Sequence, residues 1–306
     1  MMMKVGIYAP WASGDMILAT MVLKYKELFW PNSQIVWFIR PKAPSDHHTA
    51  SGDIVAHNPF IDEVRMSEED FTKVIKLRVG HRTNEHGHPL IVPKHLAGQM
   101  TSVKAELGSF RDLDLCYFPA PWACCDKLSE PYLQTTSRYV FDYPESPHPC
   151  LYFSKDEDEK ASIFMASLPF KYNIMMETKC GSNQSAWDQN TTKDVMATCR
   201  VVLGDCNFIF ASNGVDVPQD RGVVNCSEFT IRQCVPVYNR CHLFLGTASA
   251  ISMATCGWSS NPTVKRIDYT NSPFIASKPI AMGETLLVSN HGDLLSSLGN
   301  FLRQIR

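Results

Sequence analysis

The chain has 306 residues, 44% of them hydrophobic, and a formal net charge of −2. That length lets one large or two smaller soluble domains each bury a core, and the near-neutral balance argues against stable nucleic-acid binding. No apolar run approaches the ~20 residues that span a bilayer, so no transmembrane segment is expected.

The opening, MMMKVGIYAP, enters a strand at 5–8 without the layout of a secretory signal, and a cytoplasmic location is expected. The strand runs into the small-residue turn Ser13-Gly14, which delivers Asp15 to the start of a helix. Ile17, Leu18, Met21, Val22, Tyr25, Leu28 and Phe29 recur at helical spacing, so this helix is predicted to bury one face. Pro31-Asn32 stops it, and Gln34–Ile39 reads as the next strand. In such a strand–turn–helix–strand unit the first turn lies at the carboxyl end of a parallel sheet, where these folds bind ligands. Asp15 therefore stands where a substrate could meet a carboxylate.

Further strands are predicted at 74–77 and 112–117, separated in part by GHRTNEHGHPL, a stretch too hydrophilic for a simple connection. Three prolines in FDYPESPHPCLYF mark an interdomain linker near 142–150, giving domains 1–145 and 146–306. After the linker, KDEDEKASIFMASL reads as a helix whose acidic start suits the positive helix terminus. A strand at 172–176, a helix at 193–203, strands at 207–211 and 242–245 and a closing amphipathic helix, GDLLSSLGNFLRQIR, follow. The alternation predicts an α/β architecture. Eleven cysteines are an odd number, and most (Cys116, Cys199, Cys206, Cys241, Cys256) lie in strand- or helix-like runs, so reduced, buried thiols are expected.

The stretch APWASGDMILATMVLKYKELFWPNSQIVWFI resembles the amino terminus of the lipopolysaccharide heptosyltransferases and their relatives, a family of inverting sugar transferases. The resemblance rests on Gly14, Asp15 and, one turn into the helix, Thr20. HNPFIDEVR (57–65) is similar to a family segment that follows the second strand, and HLFLGTASAISMATCGWSSNPTV to a carboxyl-terminal strand, turn and small-residue helix. Gly246 stands where the family usually has an Asp, and Ile251 where it usually has a His. The resemblance implies two Rossmann-like α/β domains facing each other across a cleft, the glycosyltransferase-B fold. The acceptor, a glycan or glycoconjugate, would bind the first domain and a nucleotide-sugar donor the second, with no cofactor and no metal ion.

The resemblance assigns Asp15 as the base that takes the acceptor hydroxyl's proton while the nucleoside diphosphate leaves. The same position also suits a carboxylate that merely caps its helix. Ser13, Gly14, His86 and His88 are candidate acceptor contacts. Gly246, Thr247, Ala248 and Ser249 form a small-residue turn opening a helix, a place suited to a diphosphate and equally to close helix packing. Glu177, Lys179 and Ser182, beyond the strand at 172–176, complete the donor candidates, Lys179 being either a phosphate partner or a solvated surface lysine. His81, Glu85, His86, His88 and His95 lack the regular spacing of zinc motifs, and no metal site is expected. Adjacent Cys124-Cys125 do not make a redox motif. Two rivals remain: a nucleotide-sugar epimerase of the same architecture, and a non-catalytic sugar or nucleotide-sugar binder.

Overall fold

A computed structural model describes residues 2–8, 13–39, 52–66, 112–117, 148–179, 187–211, 217–247, 249–269 and 285–306. The chain divides into two units, Met1–Leu151 and Tyr152–Arg306. The strand expected at 74–77 and the histidine-rich stretch lie outside the described residues.

In the first unit β1 (Lys4–Tyr8), β2 (Gln34–Ile39), β3 (Glu63–Met66) and β4 (Leu115–Tyr117) form a parallel sheet in the order β3-β2-β1-β4. β1 and β2 are buried almost throughout, as parallel strands covered on both faces must be. Edge strand β3 was hidden from the pattern because Glu63 and Arg65 interrupt it. Arg65 donates to Glu63 at 2.8 Å and to Asp112 at 2.8 Å, and these partners let a charged residue sit in a strand.

The helix expected to bury one face is three pieces: α1 (Ser13–Ala19), a 3₁₀ turn (Thr20–Tyr25) and α2 (Lys26–Phe29). Met16 through Leu23 are all buried, whereas Leu28 is 62% exposed. The 3₁₀ stretch has 3.0 residues per turn rather than 3.6, so six residues turn the following helix by roughly 120° relative to a continuous α-helix. Leu28 is thereby rotated off the face that the sequence period assigned to it.

The second unit contains α3 (Lys155–Ala166), β5 (Tyr172–Met176), α4 (Gln189–Leu203), β6 (Cys206–Phe210), β7 (Val223–Asn225) and α5 (Cys234–Tyr238). It continues through β8 (Leu243–Gly246), α6 (Ala250–Ala254), β9 (Lys265–Tyr269), β10 (Thr285–Val288) and α7 (His291–Ile305). All six strands are parallel, in the order β7-β6-β5-β8-β9-β10. This is the doubly wound dinucleotide-fold order, whose reversal point lies between β5 and β8. Ser154 and Glu157 make a reciprocal capping box that starts α3, and Asp188 caps α4 through the Thr191 N–H at 2.6 Å, so α4 begins before residue 193. Leu294, Leu298 and Leu302 bury one stripe of α7 in the core, with Ile174, Phe208 and Ile267.

Cys150, Cys199, Cys206, Cys226, Cys234, Cys241 and Cys256 are all buried free thiols. Burial pushes the Cys150, Cys206 and Cys256 thiols up to about 11, which makes them inert packing groups. Among the described residues no helix is long and apolar enough to cross a membrane.

Candidate functional site

Ser13, Gly14 and Asp15 form the first turn of α1, which follows the carboxyl end of β1. In its sheet β1 lies between β2 and β4, beside the point where the strand order reverses. Asp15 is the third residue of the helix rather than the residue that flanks its start. It keeps some solvent-exposed surface, yet its surroundings are crowded enough that burial pushes its carboxyl up to about 7. Among the described residues no cation or hydrogen-bond donor offsets that burial. A carboxylate so placed is matched to proton transfer near neutrality, far better than one held down by helix-end amides.

Thr20 fixes the helix that carries Asp15. Its hydroxyl donates to the Ile17 carbonyl at 2.6 Å and accepts the Cys150 N–H at 2.9 Å. The residue that carried part of the sequence resemblance thus ties α1 to the last residues of the first unit.

In the second unit Glu177, Gly246, Thr247 and Ser249 come together where the strand order reverses. The Glu177 N–H donates to the Leu245 carbonyl at 2.9 Å, extending the β5–β8 pairing past the end of β5. The Ser249 hydroxyl donates to the Glu177 carboxyl and accepts the Ser252 N–H at 3.1 Å, capping α6. Glu177, Thr247 and Ser249 are all buried. The Ser249 hydroxyl is therefore spent inside the protein, and what the turn offers a ligand is backbone and small size. Burial, with some help from Asp268, pushes the Glu177 carboxyl up to about 8 despite the hydrogen bonds from Ser249 and Ser252.

Gly246 has a steric reason to be glycine. A Cβ there would lie 2.3 Å from the Phe244 ring and 2.9 Å from the Ser252 hydroxyl. The room an Asp would need is already filled. The neighbouring acid is instead Asp268, opposite Gly246 on β9, where it pairs with Arg266 at 3.1 Å. Arg266 is buried over the Phe244 ring and also donates to Thr255 at 3.0 Å and to the Ser252 carbonyl at 3.1 Å. Ile251, at the family's His position, is packed into the core.

Lys179 is half-buried two residues beyond Glu177. Between them, the Thr178 carbonyl accepts the Trp187 N–H at 2.7 Å, which pins the start of α4 to the end of β5. Among the described residues, the Thr178 hydroxyl and the Trp187 indole N–H are buried with no hydrogen-bond partner. Each such group costs about 1–3 kcal/mol, and neither was singled out as a hydrogen-bonding group from sequence. Arg266 and Asp268 were missed as well, and their alternation inside a strand gave no apolar signal. Ala248, Ser182, His86 and His88 lie outside the described residues. Among the described residues no three His, Cys, Asp or Glu side chains stand together so as to hold a metal ion.

No protein-family model matches the chain, and no curated protein matches it in sequence. Solved structures match over nearly its whole length. The ADP-heptose lipopolysaccharide heptosyltransferase II of E. coli is 12% identical, with 99% of each chain covered and a TM-score of 0.60. A family 9 glycosyl transferase from Veillonella parvula is 14% identical, covering 99% of this chain and 95% of its own, with a TM-score of 0.58. The iron-containing dodecameric heptosyltransferase TibC of enterotoxigenic E. coli, solved with ADP-D-β-D-heptose, is 12% identical over 99% of this chain and 78% of its own, with a TM-score of 0.52. The chain therefore has the glycosyltransferase-B fold, as its resemblance to the heptosyltransferases implied.

Proposed function

We propose that this protein is an inverting, metal-independent glycosyltransferase. It moves a sugar from a nucleotide-diphosphate sugar to a hydroxyl of a glycan or glycoconjugate. The acceptor oxygen attacks the anomeric carbon as the bond from that carbon to the diphosphate oxygen breaks on the opposite face. The bonding electrons leave with the nucleoside diphosphate, and the hydroxyl proton passes to the Asp15 carboxylate. Ser13 and Gly14 keep the approach to Asp15 clear of bulk, and His86 and His88 contact the acceptor. The diphosphate lies along the Gly246–Ser249 turn, held by backbone N–H groups, with Lys179 and Ser182 completing its contacts and Glu177 behind them.

The observation that carries this reading is Asp15 itself. It is a carboxylate beside a strand-order reversal, pushed up to about 7 by burial, in a fold shared with sugar transferases over 99% of the chain. The experiment is release of nucleoside diphosphate from sugar donors in the presence of an acceptor glycan, with and without a chelator. ADP-heptose comes first, because TibC was solved with it. Turnover that survives chelation supports the full reading; turnover restored only by added metal removes the metal-independent part.

A non-catalytic nucleotide-sugar binder is the second reading, favoured by Gly246 and the core-packed Ile251. A binder would keep affinity for the donor and release no nucleoside diphosphate.

A further inference from the structure

We propose that Glu177 is a positioning residue: through Ser249, its carboxyl group sets the shape and the charge of the turn that receives the donor diphosphate. The proposal rests on the nucleotide-sugar reading above and gives Glu177 a role behind the site rather than on the substrate.

Ser249 has a single hydroxyl proton. Its oxygen already accepts the Ser252 N–H at 3.1 Å, and the proton goes to Glu177. Glu177 is itself anchored by its backbone N–H on the Leu245 carbonyl at 2.9 Å. The residue after β5 is thus tied across the strand-order reversal twice, to β8 through backbone and to the turn after β8 through side chains. Ser249 is held from behind by Glu177, a residue only 4% exposed.

The surroundings of the Glu177 carboxyl govern its charge. From β9 it faces Asp268 and Arg266, from α5 Cys234, and from the turn and α6 Ser249 and Ser252. Arg266 is already committed to Asp268 at 3.1 Å, to Thr255 and to the Ser252 carbonyl, so this buried cation is matched by a buried anion. A second anion at Glu177 would be uncompensated, and it would lie behind the turn that must receive a diphosphate. The neutral acid keeps the bond to Ser249 without that repulsion. Burial favours the neutral form below about pH 8 and leaves it to ionise above.

The test is calorimetric binding of ADP, UDP and GDP between pH 7.5 and 9.5, where a terminal phosphate with a second pKa of about 6 stays fully ionised. Wild-type affinity should fall roughly tenfold across this range, as a nearby like charge of that strength implies. Glu177→Gln keeps an acceptor for Ser249 and carries no charge, so its affinity should change less than about twofold over a range in which the acid titrates. Ser249→Ala, which cuts the link and leaves Glu177 in place, should bind more weakly than wild type already at pH 7.5. A wild-type affinity that is flat with pH, or a Glu177→Gln variant that falls in parallel with it, overturns the proposal while leaving the nucleotide reading standing. If none of the three nucleotides binds wild type at pH 7.5, both fall together. The wild-type profile and Ser249→Ala decide the matter even where Glu177→Gln does not fold.

Discussion

The Thr20 hydroxyl accepts the backbone N–H of Cys150 at 2.9 Å, across 130 positions of sequence. Because the same hydroxyl donates to Ile17 at 2.6 Å, the helix that begins with Asp15 is fastened to the end of the first unit. Thr20→Val keeps the shape and deletes the acceptor, leaving a buried N–H unpaired. The expected loss is about 1–3 kcal/mol in urea denaturation. A variant as stable as wild type would mean that Cys150 finds another acceptor.

In the second unit, Arg232 is 2% exposed and donates to both oxygens of Glu157 and to the Tyr152 carbonyl. Burial pushes the Glu157 carboxyl up, but Arg232, the Ser154 N–H and Gln233 outweigh it and hold it down at about 2. A depressed carboxyl adds stability above its unfolded value of 4.5 that is lost as pH falls toward about 2. Arg232→Met should cost about 3–5 kcal/mol at pH 7 by stranding a buried carboxylate. It should also flatten the acid limb of the stability curve. Adding Glu157→Gln to Arg232→Met should recover part of the loss, and a double variant no better than the single one would contradict this account.

Gly246→Asp restores the residue that the resembled family carries, and it should do harm. Its Cβ would meet the Phe244 ring at 2.3 Å, and its carboxylate would add to a pocket that already holds Glu177 and Asp268. A loss of at least about 3 kcal/mol is expected, the upper end for an overpacked core. A variant that melts with wild type would show that Phe244 yields easily and that Gly246 has no packing reason.

What the sequence disclosed and what it hid divide along a physical line. β1, β2 and β5 were legible because apolar runs bounded by turns write buried parallel strands directly into composition. β9 was not, since Arg266 and Asp268 sit in its core and owe their burial to Ser252 and Thr255 on another element. The place of Asp15 could be read from the Gly-Asp turn, but its raised carboxyl depends on what packs around it. Likewise, Glu177 was a candidate by position alone. Its bond to Ser249 spans 72 residues, and no local pattern reports a contact that only tertiary folding makes.

Asp15 should also weaken the fold it serves. Its carboxyl is raised from 3.8 to about 7, so the folded state holds a proton that the unfolded chain has lost. Stability therefore declines as pH rises between those values and levels off above about 7. Asp15→Asn removes this slope. Its melting temperature should exceed that of wild type at pH 8 and converge with it near pH 4. Parallel curves at both pH values would mean that the carboxyl is ordinary.

The pH dependence of kcat/KM for nucleoside diphosphate release, measured on wild type and Asp15→Asn, tests the central claim most directly. A general base pushed up to about 7 predicts a wild-type rate that climbs through pH 6–8 to a plateau. In Asp15→Asn the plateau should drop by roughly 10²-fold or more, with nucleoside-diphosphate affinity unchanged. An Asp15→Asn enzyme that turns over near the wild-type rate, with the same climb through pH 7, would contradict the account and remove Asp15 from the chemistry.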